Sequence, residues 1–407
     1  MIRRAGQRRD RIDVAVVGAG VVGTACALAL AQQGLQVALI EASAPAPWSS
    51  TQPDLRVYAF APDNAGLLGD LGVWQGVQQA RLQPYLHMRV WDAAGGGELA
   101  LHADALGQRE LGWIVEHGLL VDRLWAALPG AGVRLLCPAR VEGLLQDDDG
   151  VQLSLDDGQQ IHARLAIAAD GAHSALRGLA GLEVVSHDYA QRGVVAYVGT
   201  ARPHADTAWQ RFLPGGPLAL LPCTHDLFAK NASRGGIGSI VWTLPEAEAV
   251  RVLALEDAAF AAEVTRAFDG RLGAMQPLCR RIAFPLRRQL ASGHVQGRVL
   301  VVGDAAHVVH PLAGQGVNLG LRDVAALRDS IADAQRRNVD WVAAHRLKRW
   351  ARARKSDNAA AAYAFEGINR MFSDDGVVAT LLRGPLLGLA GKVPPLARLL
   401  WRRAAGL

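Results

Sequence analysis

The sequence predicts an α/β protein in which a parallel sheet, with strands buried on both faces, is interrupted by a mainly antiparallel sheet and followed by helices. Three observations predict it. Ile12 to Val17 form a short apolar strand that passes through a glycine turn into an Ala-rich helix. A strand of the same type, "RVLVVGD" at 298–304, returns far along the chain. Between them, residues 184–245 are strand-rich, with turns at "LPGGP" and "SRGGIG".

The first strand leads into Gly18, Gly20 and Gly23, a GxGxxG turn, and the helix then runs from Thr24 to Gln33. Gly34 ends the helix, Val37 to Ile40 form a second strand, and Glu41 closes it, 18 residues past Gly23. Glycines in this turn let backbone approach a pyrophosphate at the positive end of the helix, and an acid at this distance can accept from ribose hydroxyls. The turn therefore binds a dinucleotide. No second strand–GxGxxG–helix unit follows, because Gly314-Gln315-Gly316 has no glycine three residues later and sits well past its strand. One dinucleotide is held permanently, and there is no separate nicotinamide domain.

Further along, "VQLSL" and "ARLAIAAD" are strands around a "DDG" turn, and the second ends in "DGAHSALR" at 170–177. Residues 246–270 are helical, as are Gly316 to about Asn338 and Trp341 to Ala364. The expected division is a cofactor domain at 11–82, 100–180 and 281–340, a substrate domain at 83–99 and 181–280, and a C-terminal helical region at 341–407.

Composition narrows the function. The chain has 407 residues, half of them hydrophobic, a formal charge of +5 and an isoelectric point near 9.3. That modest basicity suits an anionic cofactor or surface and does not call for nucleic acid. Four cysteines stand far apart with no CxxC pair, which fits a reducing compartment and neither a zinc site nor a disulfide framework. No apolar run reaches the roughly 18 residues of a membrane span, and "MIRRAGQRRDR" has no signal-peptide core. The expectation is a cytoplasmic protein able to touch the inner membrane peripherally.

These motifs together resemble the flavin-dependent aromatic hydroxylases of the para-hydroxybenzoate hydroxylase fold, and within them the ubiquinone-biosynthesis ring hydroxylases. "GAGVVG" with Glu41, "DGAHSALR" and "GDAAHVVHPLAGQGVNLG" carry the fold-level match. "HPLAGQGVNLGLRD", "LGWIVEH" at 111–117, "WQRFLPGGPLALLPC" at 209–223, "SIVW" at 239–242 and "LGVW" at 71–74 carry the narrower one. The resemblance implies a Rossmann-like FAD-binding domain of the glutathione-reductase type, interrupted by a mainly antiparallel β-sheet substrate domain, with a helical C-terminal part.

It also implies roles. FAD is the cofactor and NAD(P)H a transient co-substrate. O2 adds to the reduced flavin as a 4a-hydroperoxide that attacks the ring of a polyprenylated phenol. Gly18, Gly20, Gly23 and Glu41 hold the ADP part, and Asp170 lies near the pyrophosphate, with Arg177 fixing that segment or attracting NADPH. Arg56 matches an arginine that contacts flavin, and Asp304 accepts from the ribityl chain. The loop with Pro311, Gly314 and Gln315 passes the ring edge, and Gly316, Val317 and Asn318 open a helix whose N-terminus faces it. No catalytic side chain stands out, as expected where the flavin carries the chemistry.

Departures from the family are Phe60-Ala61-Pro62-Asp63 after Arg56, His117 in place of Asn after Glu116, and Val121 where a polar residue is usual. His307 and His310 tempt a metal reading, but a metal needs three or more ligands and no third is near, so no metal is expected. A same-fold oxidase, halogenase or secondary-metabolite hydroxylase is the rival. A flavin halogenase would carry WxWxIP and a disulfide reductase CxxxxC, and neither is present.

The stretch "HRLKRWARARK" at 345–355 reads as a basic helix with a solvated face. Arg383, Lys392, Arg398, Arg402 and Arg403, interleaved with Leu and Trp401, suit an anionic headgroup layer or another ubiquinone-biosynthesis protein, with core packing as the alternative.

Overall fold

A computed structural model describes residues 12–93, 97–224, 228, 235–309 and 316–373. His310, Pro311, Gly314, Gln315 and the basic, Leu-rich C-terminal stretch lie outside the described residues.

The parallel sheet runs Val299–Val301, Gln160–Ala168, Ile12–Val17, Val37–Ile40, Arg134–Leu136. Residues 14–17, Val37–Ile40 and Val299–Val301 are buried without polar alternation because both faces are covered there. Val14 and Val16 pack toward the helices Val21–Ala31 and Gly316–Arg336, whereas Ala15 and Val17 pack under the hairpin Val141–Gln146 and Val151–Leu155. All five strands run the same way, so their carboxyl ends share one edge.

A nine-stranded, mainly antiparallel sheet forms the second layer. Its spine is Val184–Thr200, paired with Gly236–Pro245 on one side and Ile282–Ala291 on the other. Val194, Ala196 and Val198 face the helices Glu246–Ala254 and Asp257–Ala267, and bury Phe260 and Phe268 completely. Each such aromatic contributes about 1.5–3 kcal/mol. Tyr197 faces the other way, toward the small sheet of Val57–Phe60, Gly112–Glu116 and Gln83–Tyr85.

The antiparallel sheet reaches beyond its expected limits. Ile282–Ala291 and Glu98–His102 both hydrogen-bond within it, although the sequence pattern assigns residues 281–291 and 100–102 to the cofactor domain. "IAFPLRRQLA" lacks the continuous apolar run of a doubly buried strand, and most of its residues are half-buried or exposed. Strand His307–Val308 pairs with it at Leu290 and so ties this sheet to the turn at 303–305.

The two last helices span Gly316–Arg336 and Ala344–Ser373, the second starting later and running longer than its periodicity suggests. Leu327, Ile331, Leu347 and Trp350 join the core of the parallel sheet.

Candidate functional site

A cleft of about 610 Å³ opens at the carboxyl edge of the parallel sheet, where an open α/β sheet binds its ligand. Gly18, Gly20, Glu41, Arg56, Asp170, Asp304 and Val317 all line it, although they come from six separate parts of the chain. Tyr58, His117, Arg140, Glu142 and His173 line it too.

The glycine turn explains the floor. Gly18 has φ +98°, and a Cβ there would lie 2.5 Å from the Ala169 carbonyl oxygen. A Cβ on Gly23 would lie 1.9 Å from the Gly18 carbonyl oxygen, so Gly23 serves the close packing of helix on strand and stands behind the cleft. Gly20 differs. Among the described residues a Cβ there meets no atom within 4 Å and would project at the helix start, where the first-turn N–H groups lack intrahelical acceptors. A helix start of this kind can receive a phosphate. Glu41 braces the turn, accepting from Ala19 N–H at 2.7 Å and Ser43 N–H at 3.2 Å.

The wall opposite is the Asp170 segment. Asp170 accepts from the Ser174 hydroxyl and from Leu176 N–H at 3.2 Å, and Ser174 caps the helix Ala175–Leu179 by accepting from Arg177 N–H at 3.0 Å. Arg177 donates to the Ala305 carbonyl at 2.8 Å and the Ala172 carbonyl at 3.0 Å, pinning this segment to the 303–305 turn. Burial lowers its pKa, with Asp170 opposing the shift.

At the third side, the Arg56 guanidinium sits 5.4 Å over the Tyr58 ring, and the Tyr58 hydroxyl lies 2.9 Å from His117 Nδ1. Burial raises the Tyr58 pKa, and burial followed by Arg56 lowers that of His117 to about 4. Near neutral pH the pair is a phenol and a neutral imidazole. Its position is set from below by Glu116, which accepts from Trp48 Nε1 at 2.9 Å, Asp54 N–H at 3.0 Å and Arg81 at 3.1 Å. Asp54 in turn accepts from Arg56 N–H at 2.9 Å and Gly118 N–H at 2.7 Å. The "LGWIVEH" segment thus shapes the loop that presents Arg56. Val121, on the helix His117–Ala127, is buried and does not line the cleft.

Asn318 does not present its side chain to the cleft. It accepts from Ala61 N–H at 3.0 Å and Asn64 at 2.9 Å, and donates to the Ala59 carbonyl at 2.8 Å. It cross-links the helix Gly316–Arg336 to the strand carrying Tyr58, and Arg322 adds an ion pair to Asp63 at 2.6 Å. The departure at 60–63 is accommodated here, with Pro62 opening the helix Pro62–Asp70. Gly316 opens its own helix, and among the described residues a Cβ there would meet no atom within 4 Å.

His307 is buried beside Asp323, Nε2 to Oδ2 at 2.7 Å, and among the described residues no group of three His, Cys, Asp or Glu side chains converges as a metal site. A second cavity, between the small sheet and Tyr197, is about 20 Å³, room for a water and not for a ring.

Asp304 lines the cleft half-buried from the 303–305 turn, and among the described residues its carboxylate has no protein hydrogen bond. A helix start able to receive a phosphate, an acid free to accept hydroxyl groups and an arginine on one continuous cleft fit FAD.

A family profile described as "FAD binding domain" matches residues 11–356. The chain is 40% identical over 348 residues to 3-demethoxyubiquinol 3-hydroxylase of Escherichia coli K12, covering 85% of this chain and 86% of that one. It is 37% identical over 398 residues to ubiquinone hydroxylase UbiL of Rhodospirillum rubrum, covering 97% and 89%. The crystal structure of p-nitrophenol 4-monooxygenase PnpA from Pseudomonas putida shares the fold with TM-score 0.72 at 18% identity, over 97% of this chain and 98% of that one. The chain is a flavin-dependent monooxygenase and belongs to the ubiquinone-biosynthesis hydroxylase family.

Proposed function

We propose that this chain hydroxylates the aromatic ring of a polyprenylated phenol intermediate of ubiquinone biosynthesis, using FAD, NAD(P)H and O2. The observation that carries the reading is similarity over 85% and 97% of the chain to proteins named 3-demethoxyubiquinol 3-hydroxylase and ubiquinone hydroxylase. Gly18, Gly20, Glu41, Arg56, Asp170, Asp304 and Val317 would hold FAD. When bound, FAD supplies acceptance of a hydride and activation of O2, which no amino-acid side chain provides.

The chain's own residues bind, orient and exclude water. The first-turn N–H groups after Gly20 receive phosphate charge. Asp304 accepts hydroxyl hydrogens, and the buried Tyr58–His117 pair lines the cleft without adding charge. Gly23 and Asn318 serve as packing supports, and Pro311, Gly314, Gln315 and Gly316 remain proposed for the ring edge.

The tail sets where the enzyme works. A polyprenyl chain loses about 0.8 kcal/mol for each CH2 left in water, so the substrate stays in lipid or in a carrier protein. Among the described residues no helix is long and apolar enough to cross a membrane. Lys348, Arg349 and Arg352 are exposed along one side of the helix Ala344–Ser373, which supports contact with an anionic headgroup layer. Deleting the gene should make the source cell accumulate a prenylated quinone precursor one hydroxyl short of its successor, read by mass spectrometry of lipid extracts. Unchanged quinone intermediates, with no parallel hydroxylase in the cell, contradict the reading.

A further inference from the structure

Beneath the cofactor turn lies a buried polar cluster that the proposed chemistry does not use. Asp323, on the helix Gly316–Arg336, is fully buried and accepts from four donors. Its Oδ2 takes Gly303 N–H at 3.1 Å and His307 Nε2 at 2.7 Å. Its Oδ1 takes Arg354 Nε at 2.8 Å and Asn358 Nδ2 at 3.0 Å. Arg354 also donates to Asn358 Oδ1 at 2.8 Å and to Asp357 at 2.9 Å, and Asn358 Nδ2 lies 3.2 Å from His294 Nε2. Facing a carboxylate, His307 Nε2 carries the proton. Facing an amide N–H, His294 Nε2 accepts and the ring is neutral.

One carboxylate therefore joins three segments, the 303–308 turn and strand, its own helix, and the helix Ala344–Ser373. Its hold on the turn is direct, because Gly303 has φ +59° and packs against Val22, and Asp304 follows it into the cleft. Removing one partner of a buried, charge-assisted network leaves the remaining charges without compensation, so the three segments stand or slip together.

Resting on the FAD reading above, we propose that Asp323 is a positioning residue that couples docking of the helix Ala344–Ser373, through Arg354, to the turn that presents Asp304. Linkage makes the effect reciprocal. Cofactor binding tightens the helix, and loosening the helix weakens cofactor binding.

The test uses the full-length chain. Trypsin cleavage at Lys348, Arg349, Arg352 or Lys355 requires local opening of the helix. In the wild type, saturating FAD should slow that cleavage about tenfold, within the usual range of coupling between sites. Arg354→Met touches neither the cleft nor Gly303. It should weaken FAD retention on serial dilution about tenfold, at a temperature well below its own melting midpoint, and reduce FAD protection of the helix to under about twofold.

A purely structural Arg354 would lower the melting midpoint while leaving flavin affinity and protection unchanged, and that result overturns the coupling. Should Arg354→Met not fold, the wild-type experiment still decides. FAD that binds without slowing cleavage overturns the coupling alone. A wild type that retains no FAD overturns the functional reading, and the coupling with it.

Discussion

Asp304→Ala is expected to yield a folded, colourless protein. The carboxylate stands at the cleft with no protein hydrogen bond among the described residues, so its loss strips no internal partner and the melting midpoint of the apoprotein should hold. What disappears is acceptance of cofactor hydroxyl groups. Each charge-assisted bond is worth about 1.5–3 kcal/mol, and losing one weakens FAD binding about 10- to 150-fold. Flavin absorbance per protein after gel filtration, together with a urea midpoint, measures both. A yellow variant with full flavin occupancy contradicts the assignment.

The glycine turn gives the second large effect, as a contrast between neighbours. Gly23→Ala drives a methyl to 1.9 Å from the Gly18 carbonyl oxygen, a backbone atom that can move only by pushing the helix Val21–Ala31 off the first strand. Overpacking against side chains costs about 1–3 kcal/mol, and a backbone clash belongs at or above the top of that range. Among the described residues Gly20→Ala meets no atom within 4 Å, and Gly20 has an ordinary φ of −71°. It should keep the melting midpoint while its methyl occupies the place where phosphate would approach, so FAD affinity falls at least about tenfold. Stability and flavin content thus separate at two glycines of one motif. Equal destabilisation by both substitutions would show that Gly20 is a packing residue as well.

Features written locally were legible in the sequence. A strand, three glycines and an acid within thirty residues predict their own geometry, and Gly18, Gly20 and Glu41 do line one cleft. Asp170 and Asp304 were also readable, because each ends a parallel strand and the carboxyl ends share an edge. The support beneath the site was not. Asp323 meets His307, Arg354 and Asn358 across separations of 16 to 35 residues, and no local period links such partners.

"HRLKRWARARK" shows why. Its charges read as a solvated stripe, and Lys348, Arg349 and Arg352 are exposed, yet Arg354 is buried against Asp323 and Arg346 reaches Asp333 at 2.8 Å. A run of like charges cannot announce which member turns inward. Asn318 is the opposite case. Its neighbours in "GVNLG" belong to a cofactor motif, but its own side chain satisfies buried backbone at 59–61. Tyr58 and His117 reach the cleft by another route, on an antiparallel pair at Val57↔Glu116 whose register the sequence does not encode locally.

This cleft is expected to support insertion of one oxygen atom from O2 into a phenolic ring. Purified full-length protein, supplied with FAD and NAD(P)H, should be given a prenylated phenol under isotopically labelled O2, and the product weighed by mass spectrometry. NAD(P)H oxidation should be stimulated by the phenol and the ring product should carry one labelled oxygen, with turnover abolished in Asp304→Ala unless FAD is added in large excess. NAD(P)H oxidation with the phenol recovered unlabelled, or product whose new oxygen comes from water, would contradict it.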